Sequence, residues 1–108
     1  MKNKEYKEIF LKSISKVKDV VCEESDFKAC FLLKKNGKPY KAIRCVATTE
    51  LTKSAERIAA GALWPYKDEG YDAYIMIPVP ISEEMISYVK ENDEMGIIVW
   101  DGKSDISL

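Results

Sequence analysis

Apolar residues Tyr6, Ile9, Phe10, Ile14, Val17 and Val21 recur at three- and four-residue intervals among lysines and glutamates. That spacing is one face of a helix and predicts an amphipathic element from about Asn3 to Val17. Val20-Val21-Cys22 either finishes this helix or forms a short strand. The period then changes. Phe27 to Lys34 is rich in aromatic and aliphatic residues, Asn36-Gly37 with Pro39 is a turn signal, and Tyr40 to Thr48 reads as a second strand, so the two form an antiparallel hairpin. Counting outward from a two- or four-residue loop puts Phe27, Ala29, Phe31 and Leu33 on one face with Ala42, Arg44, Val46 and Thr48. Lys28, Cys30, Leu32 and Lys34 then share the other with Lys41, Ile43, Cys45 and Ala47. Arg44 falls on the more apolar of the two faces.

Thr49 is a suitable N-cap for a helix whose stripe is Leu51, Ala55, Ile58 and Ala62, ending before Trp64-Pro65. Asp72 to Ile77 predicts a strand closed by Pro78 and Pro80, which cannot continue a ladder. Ser82 caps a further helix with Glu83 and Glu84 in its first turn, and Ile81 and Ile86 have staple spacing. Gly96 to Trp100 predicts a final buried strand. Strands joined through helices imply parallel neighbours with right-handed crossovers. The expectation is an α/β protein: one domain over residues 1–102, a mixed four- to five-stranded sheet flanked by helices in the order α-(β)-β-β-α-β-α-β, and a polar tail at 103–108. A chain of 108 residues has room for one such core.

Composition removes several kinds of chemistry. Histidine is absent, so Ser-His-Asp and Cys-His mechanisms and histidine-containing zinc sites are excluded. The five glycines are scattered, and neither a P-loop nor a dinucleotide fingerprint is present. Cys22, Cys30 and Cys45 lie among aliphatic residues without C-x-x-C spacing, which suits buried reduced thiols. No segment reaches the length of a membrane span, and the charged first residues do not resemble a signal peptide, so a cytoplasmic protein with no membrane partner is expected.

The net charge of −1 conceals a division. Residues 1–67 carry fifteen Lys and Arg against eight Asp and Glu; residues 68–108 carry two against ten. The division either is a solvated surface that serves solubility or marks a face for a phosphate or an acidic partner, with Lys28, Lys34, Lys35, Lys41, Arg44 and Arg57 as its binding residues. The opposed charges of the halves also permit self-association. Trp64-Pro65-Tyr66, with Tyr71 and Trp100, supplies aromatics that either cover the core edge or stack against a partner. For Arg44 the favoured reading is a stem packed in the apolar face with its head on a carboxylate, Asp26, Asp72 or Glu50, because an unpaired buried guanidinium is costly.

With the acid Asp26 at the hairpin entry, the strand Asp72-Ala73-Tyr74-Ile75-Met76-Ile77-Pro78 and the closing Gly96-Ile97-Ile98-Val99-Trp100, the order of elements resembles the PD-(D/E)XK, or restriction-endonuclease-like, superfamily from about Lys4 to Asp101. The resemblance implies an acid near the start of one strand and an acid-x-Lys on the next, holding Mg²⁺ and an attacking water. Asp26 matches the first acid, but the acid-x-Lys positions fall on Arg44-Cys45-Val46. An arginine does not ligate Mg²⁺ and a valine does not activate water. The expectation is therefore a non-catalytic binding or regulatory module on a nuclease-like scaffold, without cofactor, contacting nucleic acid or a protein. Two alternatives stand beside it. One is a small Mg²⁺-dependent nuclease with relocated residues, Asp26, Glu50 and Lys53 first among them, with Glu56, Lys28 and Lys41 as further substitutes. The other is a protein inhibitor or immunity-type partner.

Overall fold

The computed structural model describes residues 1–26 and 29–108. Its elements are α1 (Asn3–Ile14), β1 (Val20–Glu24), β2 (Phe31–Lys35), β3 (Lys38–Cys45), α2 (Lys53–Asp68), β4 (Asp72–Ile77), α3 (Glu83–Asp93) and β5 (Gly96–Val99). The five strands form one sheet in the order β1-β2-β3-β4-β5, the first three an antiparallel meander and the last three parallel. Along β4 the side chains alternate strictly. Ala73, Ile75 and Ile77 enter a cluster with Ala59, Ala60 and Leu63 of α2 and Val89 of α3, while Met76 joins Tyr6, Phe10 and Ile14 of α1 on the other side. The result is three layers, α1 on one face of the sheet and α2 with α3 on the other.

Helix α1 is shorter than its apolar spacing predicts. After Ile14 the chain tightens into three-residue turns, Lys16 N–H to Ser13 C=O and Val17 N–H to Ile14 C=O, and Asp19 takes a left-handed φ of 66°. This reversal lets Val17 and Val20 pack on the same cluster as α1, and Val20-Val21-Cys22 opens a strand.

The hairpin register departs from simple counting. Asn36 and Gly37 both have positive φ, 55° and 75°, the requirement of a two-residue type I′ turn. Lys35 faces Lys38 and Lys34 faces Pro39, but Leu33 then faces Lys41, so one residue is absorbed in a bulge beside Tyr40. Every position beyond the bulge changes face relative to the counted register. Phe31 and Leu33 lie with Ile43 and Cys45 on the α1 side, and Leu32 lies opposite Ala42 on the α2 side, the face that Arg44 shares. The predicted strand start, Phe27 with Lys28, lies outside the described residues. Ala29 and Cys30 belong to a loop whose amides both donate to Ser25 Oγ, at 3.1 and 3.0 Å.

The second helix starts at Thr52, not Thr49, because Thr48 and Glu50 close a local turn through the Thr48 hydroxyl and Leu51 is buried before the helix begins. Thr52 Oγ1 accepts the Ala55 N–H at 3.1 Å. The helix also runs through Pro65 to Asp68, and its inner face is Glu56, Ala59, Ala60 and Leu63, one position along from the expected stripe. Helix α3 is capped as expected, Ser82 Oγ accepting the Met85 N–H. The last six residues are not a free tail: Ile106 and Leu108 pack on the α1 cluster, and Trp100 Nε1 donates to Ser104 C=O.

Tyr6 is fully buried, and its hydroxyl donates to the Trp100 carbonyl at 2.7 Å while its ring stacks on the indole. Tyr6→Phe leaves that carbonyl without its donor and is expected to cost about 1–2 kcal/mol in urea unfolding with an unchanged m-value.

Candidate functional site

Arg44 sits near the carboxyl end of β3. Its Nη1 donates to the Ala29 carbonyl at 2.6 Å, and its Nε is buried with no partner among the described residues. The carboxylate partner expected for it is not found: Asp26 and Glu50 are exposed, and Asp72 accepts from Tyr74. The reason is the bulge, which turns Arg44 toward the α2 side and toward Ala29, where a backbone carbonyl is the acceptor within reach. Arg44 thus ties Ala29 to the sheet, together with Ser25 and with Cys30 Sγ 3.5 Å from the Ala62 carbonyl.

The residues considered for a relocated metal site are not brought together. Asp26 occupies an exposed turn, Glu50 lies in the turn before α2, and Lys53 places its ammonium 5.0 Å above the Tyr88 ring. Among the described residues no hydrogen bond or ion pair joins them, and no group of three Cys, Asp or Glu side chains is arranged to hold a metal ion. Cys30 and Cys45 are buried and Cys22 is half-buried, and all three thiols hold their protons. Burial pushes Cys22 and Cys30 to about 11 and Cys45 to about 12, which leaves little thiolate at neutral pH. Cys30 and Cys45, placed on one face by counting, lie in opposite clusters.

The basic residues divide. Lys28 lies outside the described residues. Arg57 is on the outer face of α2, and Lys34 is 4.0 Å from Glu23. Lys35 and Lys41 converge on Tyr40, their ammonium groups 5.2 and 4.9 Å from the ring centre, and Lys41 is also 4.3 Å from the centre of Tyr74. These side chains are on the α1 face at the amino ends of the parallel strands. Lys41 pairs with Asp72 in the β3–β4 register, so Tyr74 is its diagonal neighbour. Tyr74 is fixed twice. Its hydroxyl donates to Asp72 at 2.7 Å, the main reason its pKa is raised, with Lys41 opposing, and its ring lies so close to Gly96 that a Cβ there would be 2.5 Å from it. Beyond the ring an open hollow of about 480 Å³ is lined by Tyr74, Lys90, Glu94, Met95 and Gly96. Alternating charges and rings on a half-exposed sheet face can neutralise phosphates and stack flat groups at once.

Sequence reasoning proposed Lys35 and Lys41 but not Tyr40 or Tyr74 beside them. The Tyr74 contact depends on a parallel register between strands thirty residues apart. Of the aromatic set it did single out, Tyr71 and Trp100 are buried, and Trp64 is 38% exposed.

One buried carboxylate has no hydrogen-bond donor for either oxygen among the described residues. This is Glu56, in the first turn of α2, which is fully buried. Burial, and then the neighbouring Asp93 carboxylate, through the hydrogen bond a protonated Glu56 gives it and through the repulsion of its charge, pushes Glu56 up from the ordinary 4.5 to about 7, with Arg57 pulling the other way.

Compared with protein-family models, curated proteins and solved structures, the chain matches none. No helix among the described residues is long and apolar enough to cross a membrane.

Because the folded state holds the Glu56 proton more tightly than the unfolded chain, the stabilising contribution is complete below about pH 4.5 and is lost as pH rises through about 7. Glu56→Gln keeps the shape and removes the charge. It is expected to stabilise the protein by about 1–3 kcal/mol at about pH 8, with the gain vanishing near pH 4, in urea unfolding at the two pH values.

Proposed function

We propose that this domain is a non-catalytic nucleic-acid-binding module on a nuclease-like scaffold, and that it meets its ligand through the Lys35, Tyr40, Lys41 and Tyr74 face. The observation that carries the reading is Lys41, held between two tyrosine rings on a half-exposed sheet face, with a second lysine beside the first ring. Lysines there neutralise backbone phosphate, and tyrosines offer π-surfaces to bases without regard to sequence. The excess of positive charge in residues 1–67 supports an anionic partner.

The scaffold half of the proposal rests on the resemblance to the PD-(D/E)XK superfamily. The helix, meander, helix, strand, helix, strand order supports it. The non-catalytic half rests on Arg44-Cys45-Val46, which supply neither the carboxylate nor the lysine of that motif. Arg44, spent on the Ala29 carbonyl, acts as a brace for the adjoining loop and leaves ligand contact to the lysines. The proposal sets the protein in the cytoplasm, where three reduced thiols suit the compartment.

The test is fluorescence anisotropy with a labelled single-stranded oligonucleotide over a salt series. Affinity should fall steeply with salt. Lys35→Ala and Lys41→Ala should each weaken binding and flatten the log–log slope by roughly 0.7, whereas Tyr74→Leu should weaken it about tenfold at an unchanged slope. Absence of binding at low salt, or binding indifferent to all three changes, refutes the reading. Cleavage of the oligonucleotide in Mg²⁺ by the purified protein refutes its non-catalytic part.

A further inference from the structure

Helix α2 has an outer face that nothing among the described residues covers. Ile58 is 68% exposed and Trp64 38% exposed, with Arg57, Gly61, Pro65 and Asp68 exposed around them. At 100° per residue these six fall within about 120° of one another, opposite the buried Glu56, Ala59, Ala60 and Leu63. Gly61 is the least expected of them. An added Cβ meets no atom within 4 Å, not even the Pro65 ring, so an alanine would fit and would favour the helix. Pro65, four residues on, has no N–H to give the Gly61 carbonyl. The Trp64 indole N–H has no acceptor among the described residues, although Lys67 sits 4.7 Å over its ring. Arg57 and Asp68 form no ion pair within the described chain.

We infer that this face binds a second copy of the chain, α2 against α2 in antiparallel, two-fold fashion. A two-fold axis at the level midway between residues 62 and 63 sets Arg57 of each copy against Asp68 of the other. The same axis sets Trp64 of each against Gly61 of the other, so both complementary pairs fall in a single register. Self-complementarity of this kind is the condition for a closed dimer. The bare Gly61 backbone admits the indole to close approach, and its carbonyl, lacking a proline N–H, is available to the indole donor. Ile58 and Pro65 supply apolar surface along the seam. This inference does not depend on the nucleic-acid reading, because α2 and the Tyr40–Tyr74 face lie on opposite sides of the sheet.

Sedimentation equilibrium of the full chain from low micromolar to millimolar concentration tests it. A concentration-dependent dimer is expected. Gly61→Ala should weaken it at least about tenfold while leaving the thermal unfolding of the dilute monomer unchanged or raised, which separates lost association from lost folding. Arg57→Asp should weaken the dimer, and Arg57→Asp combined with Asp68→Arg should restore it. A monomer at every concentration overturns the inference. A dimer indifferent to Gly61→Ala and Arg57→Asp, or one that the charge swap does not restore, overturns the proposed register.

Discussion

The hairpin register governs the molecule. Asn36 and Gly37 fix the turn, and the single residue absorbed beside Tyr40 decides which side chains of β3 look toward α1 and which toward α2. Side chains alternate with a period of two, so a one-residue slip would exchange Ile43 and Cys45 with Ala42 and Arg44. A guanidinium would then enter the cluster of Tyr6, Phe10 and Phe31, with no loop carbonyl to receive it. The same slip would turn Lys41 away from Tyr74. Core composition, the anchoring of Ala29 and the basic aromatic face therefore all follow from one local irregularity.

Much of the fold is legible in the sequence, and the illegible parts have identifiable causes. Asp72 to Ile77 is a strand with the expected bounds because prolines close it and its apolar run is too short for a helix. Ser82 caps α3 because a serine before two glutamates offers an acceptor and complements the helix dipole. The bulge leaves no such mark, since its residues are ordinary strand formers. Pro65 reads as a terminator, yet on the outer face of α2 its ring points to water and the helix continues. Three threonines compete to start that helix, and only the structure reveals that the hydroxyl of Thr48 is already engaged in a turn.

The candidate site divides along the same line. Lys35 and Lys41 are readable as basic residues on a hairpin, a matter of local order. Their pairing with Tyr40 and Tyr74 is tertiary, set by the parallel register of β3 with β4 and by the room that Gly96 leaves for a ring. Arg44 illustrates the reverse case. Its importance is evident from one charge within an apolar strand, but its partner is a main-chain oxygen, which carries no residue-type signature. Glu56 lies on the buried side of its helix because α2 is rotated by one position from the expected stripe, placing Ala59 and Ala60 against the sheet and the carboxylate beside Asp93.

The contact between Tyr6 and Trp100 spans 94 positions. While the chain is still emerging from a ribosome, the first helix has made its apolar stripe but its closing partner has not yet been synthesised. Phe10 can close on Phe31 as soon as β2 is made, but Tyr6 must wait for Trp100. Loss of Trp100 would take from α1 both a stacking ring and a hydrogen-bond acceptor, so the first helix completes its packing only when the segment after the last strand is in place.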